Sequence, residues 1–293
     1  LEQHHSNTLL TASAPPMTAR NAHDLSADEL FAPIDERMIA NAVEALEAGQ
    51  THYVDVPGIA PLRAAIADYL RTSFKAAYAP SNVIVTAGIQ ESRFLTIQMI
   101  GETFGRIAVP TVVHPGVRKA LGVRALNVDL IDVDERTLPT LESLRAVLSA
   151  GARLVYLESP ARLTGAAYNA AEAGAIAALA REFEATIIWD QGLAPWTADY
   201  TSLASVSENA DRTVVIGETF PGMGLSSWFI GYIAAPEALV APMQSQKQIM
   251  AICTSTAAQY AALEASKLYA ETLPQQHERL HRARQTLIAA LGS

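Results

Sequence analysis

The 293-residue sequence predicts an α/β protein with a doubly wound, mostly parallel sheet. Short runs rich in apolar and β-branched residues alternate with longer segments of helical periodicity. Runs such as V-V-I-G and T-I-I-W are almost continuously apolar, which is typical of strands with both faces covered. Alternation of this kind places helices on both sides of a parallel sheet.

The apolar runs and the helical segments together predict the order of strands and helices along the chain. Strands are expected at 82–86, 106–109, 126–133, 154–158, 186–190, 213–217 and 229–234. Helices are expected at 61–74, 90–100, 116–121, 140–148 and 170–184. After 234 the pattern is helical only, over 244–269 and 273–291.

Composition excludes several classes of protein. Half the residues are apolar and only 17% are charged, as expected of a compact protein with a large interior. The net charge of −9 argues against nucleic acid or an anionic membrane as a partner. No apolar run approaches the roughly 18 residues of a membrane span. The start of the chain lacks the pattern of a secretory signal, and Cys253 is the only cysteine, so we expect a cytoplasmic protein.

Acidic residues end three neighbouring strands of the predicted sheet: Glu158, Asp190 and Glu218. His114 and Arg162 lie just beyond strand ends. One such carboxylate is often only a helix cap, but ligands bind at this edge of doubly wound sheets. The group therefore predicts a polar pocket for a small molecule. No local ligand spacing supports a metal site, and none is predicted.

A series of short segments carries a resemblance to a known family. The segments are Y-V-D-V-P-G-I-A-P-L-R from Tyr53, V-T-A-G-I-Q-E from Val85, P-A-R-L-T-G from Pro160, W-D-Q-G-L from Trp189, and G-E-T-F-P-G-M-G-L-S-S-W-F-I-G-Y from Gly217. With these segments the chain resembles the class I/II aminotransferases, the fold-type I pyridoxal-phosphate (PLP) enzymes, from about Tyr53 to its end.

The resemblance implies roles for several residues. Tyr53 would reach the cofactor phosphate of a partner subunit, so a homodimer is expected. The backbone N–H groups of Gly88, Ile89 and Gln90 would cradle the phosphate at a helix start. Asp190 would hold the pyridinium nitrogen of PLP.

The chain departs from the family pattern at the residues that bind the cofactor. By spacing, Pro221 stands at the position of the Schiff-base lysine, and proline has no amine for that bond. Phe229 replaces the arginine that binds the phosphate, and Glu218 replaces a serine beside it. Three further replacements surround the cofactor ring: Arg162 for an asparagine, Leu193 for a tyrosine, and His114 for the stacking aromatic residue. We therefore expect no cofactor, although the resemblance implies PLP.

The resemblance also implies a domain organisation. We expect an N-terminal arm at 1–45, a large α/β domain at 46–240, and an inter-domain helix with the start of a small domain at 241–293. Most of that small domain is expected to be absent or truncated. Four lysines outside the matched segments are expected on solvent-exposed helix faces: Lys75, Lys119, Lys247 and Lys267.

Three functions remain open. The favoured one is an enzyme that has lost covalent PLP chemistry and acts on a small amino-acid-like or cationic metabolite, with Glu158, Asp190, Glu218 or His114 as acid or base. The second is a non-catalytic dimer that regulates or scaffolds a partner. The third is an enzyme that binds PLP or pyridoxamine phosphate (PMP) without a covalent link. Conventional transamination is not expected. Because burial and like-charge neighbours raise the pKa of an acid, at least one of the three carboxylates should titrate above its ordinary range.

Overall fold

The computed structural model describes residues 32–124, 126–206 and 209–292, which contain seven strands and nine α-helices. The strands are β1 (Val83–Ala87), β2 (Arg106–Pro110), β3 (Asn127–Ile131), β4 (Leu154–Glu158), β5 (Thr186–Asp190), β6 (Thr213–Glu218) and β7 (Ile230–Ala234). The helices are α1 (Glu36–Glu47), α2 (Ala60–Phe74), α3 (Gly88–Leu95), α4 (Gly101–Phe104), α5 (Pro115–Leu121), α6 (Leu141–Ser149), α7 (Ala170–Glu182), α8 (Glu237–Ala251) and α9 (Thr256–Leu291). A π-helical turn, Thr96–Ile100, joins α3 to α4.

All seven strands form one sheet in the order β1-β7-β6-β5-β4-β2-β3. The strands β2 to β6 are parallel to one another, whereas β7 is antiparallel to both β1 and β6. The mostly parallel sheet predicted from the sequence is therefore confirmed.

Helices cover both faces of the sheet. Along β5, Ile187 and Trp189 belong to a hydrophobic cluster that includes Leu144 of α6. Ile188, between them, belongs to a second cluster that includes Leu95 of α3. Successive side chains of a strand point to opposite faces, so the sheet is covered on both sides, and the doubly wound architecture is confirmed.

The start of α3 lies directly against β7. A Cβ atom added to Gly231 would lie 2.6 Å from the carbonyl carbon of Gly88 and 2.7 Å from the amide nitrogen of Ile89. Any side chain at Gly231 would push α3 away from the sheet, so the glycine allows this close approach.

The C-terminal helices differ from the prediction. The expected helix at 244–269 is interrupted between α8 and α9, where Ile252 has a φ of 59°. Thr254 Oγ1 donates to the carbonyl of Val85 (3.2 Å), and Gln259 Nε2 donates to the carbonyl of Thr254 (2.8 Å). These tertiary hydrogen bonds hold the break in place. Helix α9 then runs unbroken through Pro274, so the expected helices at 244–269 and 273–291 are not separate elements.

The N-terminal region contains a helix that the sequence analysis did not predict. Residues 1–31 of the expected arm lie outside the described residues. From Glu36 the chain forms α1, which packs against α9, and Met38 and Ala42 are buried in the same cluster as Ala261. The expected boundaries at 45 and 240 remain predictions. In the described part of the chain, none of the helices combines the length and apolar character needed to cross a membrane.

Candidate functional site

The structure brings the three strand-end carboxylates to one cavity. Glu158 pairs in register with Asp190, and Asp190 pairs with Ile216, two residues before Glu218. Glu158 and Asp190 are buried, whereas Glu218 is exposed. The cavity measures about 20 Å³, which is room for roughly one water molecule. Its lining consists of Ile89, Arg93, Glu158, Pro160, Arg162, Asp190, Gly192, Leu193 and Glu218.

Asp190 is held in the ionised form by three hydrogen-bond donors. Arg93 Nε (2.8 Å) and the hydroxyl of Tyr156 (2.6 Å) both donate to Oδ2, and the backbone N–H of Gly192 (3.0 Å) donates to Oδ1. Burial alone would raise the pKa of Asp190, but the Arg93 charge and these hydrogen bonds outweigh it and hold the pKa below its usual range. Burial raises the pKa of Tyr156, so its hydroxyl keeps the proton that it donates.

Unlike that of Asp190, the pKa of Glu158 lies above its ordinary range. Burial and the neighbouring charge of Asp190 raise its pKa to about 7, although hydrogen bonds from the backbone N–H groups of His114 and Arg162 oppose the shift. The His114 N–H donates to Oε1 at 2.9 Å. The expectation that one of the carboxylates titrates above its ordinary range is confirmed. At neutral pH Glu158 can both accept and release a proton.

His114 is positioned by the start of α5. As the N-cap residue, its Nδ1 accepts from the backbone N–H of Gly116 (2.9 Å) and lies 3.3 Å from Nη1 of Arg93. Because Nδ1 accepts, the ring proton lies on Nε2. His114 thus contacts the charged pair beside the cavity, although it is not among the residues that line the cavity.

Pro221 and Phe229 stand at two positions that bind the cofactor in the family that the sequence resembles. Both lie on the loop between β6 and β7. Pro221 is buried at the start of this loop. Phe229 is 62% exposed, has a φ of 51°, and flanks the start of α3: a Cβ atom added to Gly88 would lie 3.6 Å from its Cβ. Phe229 therefore places an apolar ring, and no charge, beside Gly88.

The predicted phosphate cradle lies at the first turn of α3. Gly88 has a φ of 73°, and Ile89 lines the cavity. Gln90 is exposed, and its Nε2 donates to the carbonyl of Gly116 (3.1 Å), so its side chain is engaged with α5. Glu91 accepts a hydrogen bond from the backbone N–H of Ala87.

Lys247 was expected on a solvent-exposed face, and this expectation is wrong. Its side chain is fully buried, and Nζ donates to both carboxylate oxygens of Glu91 at 2.9 Å. The ion pair joins α8 to the start of α3. A buried lysine requires such a partner, which lies 156 residues away in the sequence.

The remaining predicted residues lie at the edge of the site or outside it. Arg162 is half-exposed and lines the cavity. Tyr53 is 79% exposed and does not line it. In the described part of the chain, no group of three or more His, Cys, Asp or Glu residues is placed to hold a metal ion.

Sequence reasoning missed Arg93 and Tyr156, which both contact Asp190. Tyr156 could have been found, because it lies two residues before Glu158 on the same strand and therefore on the same face. Arg93 precedes the largely apolar run F-L-T-I on a helix that must cover the sheet. A charged residue at such a position implies a buried partner.

The fold and the site together match one family. Residues 22–293 match the family model described as "Aminotransferase class I and II", and the chain belongs to this family. The resemblance drawn from the short segments is thereby confirmed.

Known relatives agree with this assignment. The chain is 28% identical over 246 residues to an aspartate aminotransferase of Thermotoga maritima, covering 83% of this chain and 65% of the relative. It is 27% identical over 257 residues to a putative aminotransferase of Bacillus subtilis, covering 86% and 66%. The chain thus spans just under two thirds of the length of these relatives.

Solved structures show the same fold. Thermus thermophilus aspartate aminotransferase with maleate superposes with a TM-score of 0.80 at 26% identity, covering 92% of this chain and 72% of that one. The aromatic aminotransferase of Pyrococcus horikoshii gives 0.84 at 22% identity, covering 91% and 74%, which bears on the fold alone.

Membership of this family corrects one expectation. The class I and II aminotransferases depend on PLP, so the expectation that the chain has no cofactor is contradicted. The residues at the site nevertheless do not fit PLP as a lysine-bound group. Pro221 offers no amine, and Asp190 already accepts from Arg93, Tyr156 and Gly192.

Proposed function

We propose that this chain is an aminotransferase-family enzyme that has lost lysine-bound PLP chemistry and acts on a small amino-acid-like molecule beside the cavity, at the ends of β4, β5 and β6. The observation that carries the proposal is Glu158, buried in the cavity with a pKa of about 7. Acids and bases work best when their pKa lies near the working pH. The relatives named as aspartate aminotransferases support an amino acid as the class of substrate.

The two buried carboxylates have different roles in this proposal. Asp190 stays ionised because Arg93 and Tyr156 bind it, so it supplies a fixed negative charge. Glu158 has the higher pKa and is the proton donor or acceptor toward a bound substrate. Exposed Glu218 adds negative charge at the outer side of the cavity. This arrangement favours a ligand with an ammonium group.

The active form is proposed to be a cytoplasmic homodimer. The resemblance gives Tyr53 a role in the neighbouring subunit, and this side chain is 79% exposed in the single chain. A tyrosine with so much apolar surface in water gains by burial against a partner.

A ligand screen tests the function. Wild-type protein and Glu158→Gln are mixed with amines, amino acids, PLP and PMP, and the melting temperature and heat of binding are measured between pH 5 and 8. Because protonation removes the charge that an ammonium group needs, affinity for L-alanine or L-aspartate should fall as the pH drops below 7. Glu158→Gln should abolish this pH dependence, and the exposed control Glu135→Gln should retain it.

Other outcomes favour the alternatives. Stabilisation by PLP and PMP alone would contradict the proposal and favour an enzyme with a non-covalently bound cofactor. A dimer that none of these compounds stabilises would indicate a non-catalytic regulator or scaffold.

A further inference from the structure

Phe229 exposes an aromatic ring on a strained backbone. The side chain is 62% exposed, and the residue has a φ of 51°. This left-handed conformation is unfavourable for a residue with a bulky side chain, whereas glycine or asparagine adopts it readily. A ring that stays in water contributes little to offset the strain. Strained residues of this kind cluster at functional sites.

The ring lies on the same face of the sheet as the side chain of Glu218. Glu218 pairs in register with Gly231 in the antiparallel pair of β6 and β7, so side chains at these two positions point to one face. The first turn of α3 packs on that face, because a Cβ atom added to Gly231 would lie 2.7 Å from the amide nitrogen of Ile89. Phe229 flanks the same turn, with its Cβ 3.6 Å from a Cβ atom added to Gly88. A carboxylate and an apolar ring therefore flank the start of α3 together.

The strand order determines which charges a ligand beside the ring would meet. Glu218 ends the strand next to β7, so it is the closest of the three strand-end carboxylates to the ring. Asp190, on the following strand, is already paired with Arg93 (2.8 Å). Arg162 follows β4, two strands away from β6. The cavity has room for only one water molecule, so a larger ligand must lie outside it, against the exposed sides of Glu218 and the ring.

We propose that Glu218 and Phe229 form a binding site for an amine that carries an apolar group and no carboxylate, such as an arylalkylamine. This inference rests on the proposed function and names the substrate class within it. The ammonium group binds Glu218 through a hydrogen bond between charged groups, and the apolar group leaves water by packing on the ring of Phe229. A carboxylate on the carbon that bears the ammonium group would face Glu218 and be repelled.

Calorimetric titration of the full chain at pH 7.5 and constant ionic strength compares phenethylamine with three analogues. Ethylamine lacks the ring, 2-phenylethanol lacks the charge, and L-phenylalanine adds a carboxylate. Phenethylamine should bind roughly 10-fold more tightly than ethylamine, because part of its ring leaves water. It should bind roughly 5-fold more tightly than L-phenylalanine, which is the cost of a carboxylate about 4 Å from Glu218 even when water screens both charges. 2-Phenylethanol should bind more weakly than phenethylamine.

Two variants separate the roles of the ring and the carboxylate. Phe229→Asn removes the ring but suits the left-handed backbone, so the chain should fold. It should reduce the preference for phenethylamine over ethylamine to less than about 2-fold, the change expected when the ring contact is lost. Glu218→Gln should weaken both amines by a similar factor and keep that preference. The matched control Val123→Asn removes a 60% exposed apolar side chain after α5 and should leave every affinity unchanged.

The outcomes distinguish this inference from the proposed function. Suppose that L-alanine binds with the pH dependence expected of Glu158. If the preference for phenethylamine then survives in Phe229→Asn, or L-phenylalanine binds as tightly as phenethylamine, the inference is wrong while the proposed function stands. If no amine or amino acid binds the wild-type chain, both fail. Dissociation of a wild-type dimer in Phe229→Asn, seen by sedimentation equilibrium, would show that the ring packs between subunits and would also overturn the inference.

Discussion

Replacement of Glu158 by glutamine removes one titrating group from the centre of the site and changes little else. The amide keeps an oxygen that can accept from the backbone N–H of His114, as Oε1 does now at 2.9 Å. It also resembles the protonated carboxylic acid in size and charge. The variant therefore isolates the energetic cost of ionising a buried carboxylate next to Asp190.

The magnitude follows from the pKa of Glu158, which is raised from its ordinary value of 4.5 to about 7. The fold favours the protonated form, so the stability that this group contributes is complete below pH 4.5. It is lost as the pH rises through 7. With roughly 1.4 kcal/mol for each pKa unit, the loss amounts to about 3 kcal/mol. Glu158→Gln does not titrate and should escape this loss.

Urea unfolding at pH 5, 6, 7 and 8, followed by tryptophan fluorescence, measures the effect. The free energy of unfolding of Glu158→Gln minus that of the wild type should increase by about 2.5 kcal/mol from pH 5 to pH 8, because a small part of the loss precedes pH 5. The exposed control Glu135→Gln should show no comparable increase. A difference that stays constant across this range would refute the electrostatic account of Glu158.

Further predictions concern the charged pair, the assembly and the loop after β6. Asp190→Asn alone leaves Arg93 buried without a counter-charge and should lower the free energy of unfolding by about 3–5 kcal/mol. Adding Arg93→Met in the double variant should restore most of that free energy. Equal destabilisation of the single and the double variant would contradict this. Sedimentation equilibrium at micromolar concentration should show a homodimer, and a monomer would count against the role of Tyr53. Borohydride reduction in the presence of PLP should label no lysine at the site, because Pro221 occupies the expected position; a specifically labelled lysine, found by peptide mapping, would overturn this.

Six of the seven strands were predicted to within one residue at each end, because each is a short apolar run that is almost entirely buried. Strand β3 is mostly exposed, and its predicted range ended two residues too late. Helix ends that depend on distant contacts could not be predicted from the sequence. The break between α8 and α9 contains neither glycine nor proline and is held by the hydrogen bond from Thr254 to Val85, 169 residues away. Helix α1 was missed although its signals are local: Asp35 caps its start, and Met38, Ala42 and Ala45 recur at helical spacing on its buried face.

The candidate site, like the fold, was predicted where the local sequence decides the structure and missed where distant contacts decide it. The meeting of Glu158, Asp190 and Glu218 could be predicted, because parallel strands end at one edge of the sheet. The partners of these residues come from α3, whose position on the sheet no local pattern specifies. Arg93 reaches Asp190 across 97 residues of sequence, and this ion pair decides which carboxylate stays ionised and which titrates near neutrality.

The contact between Gly231 and the start of α3 fixes the distance between that helix and the sheet. With the backbone of Gly88 already against β7, α3 cannot move closer to the sheet. Moving it outward would strain the buried ion pair between Glu91 and Lys247. The side chains that α3 contributes, Arg93 among them, are therefore held at a nearly constant distance from the strand ends. A side chain at Gly231 should displace Arg93 from Asp190 by moving the helix that carries it.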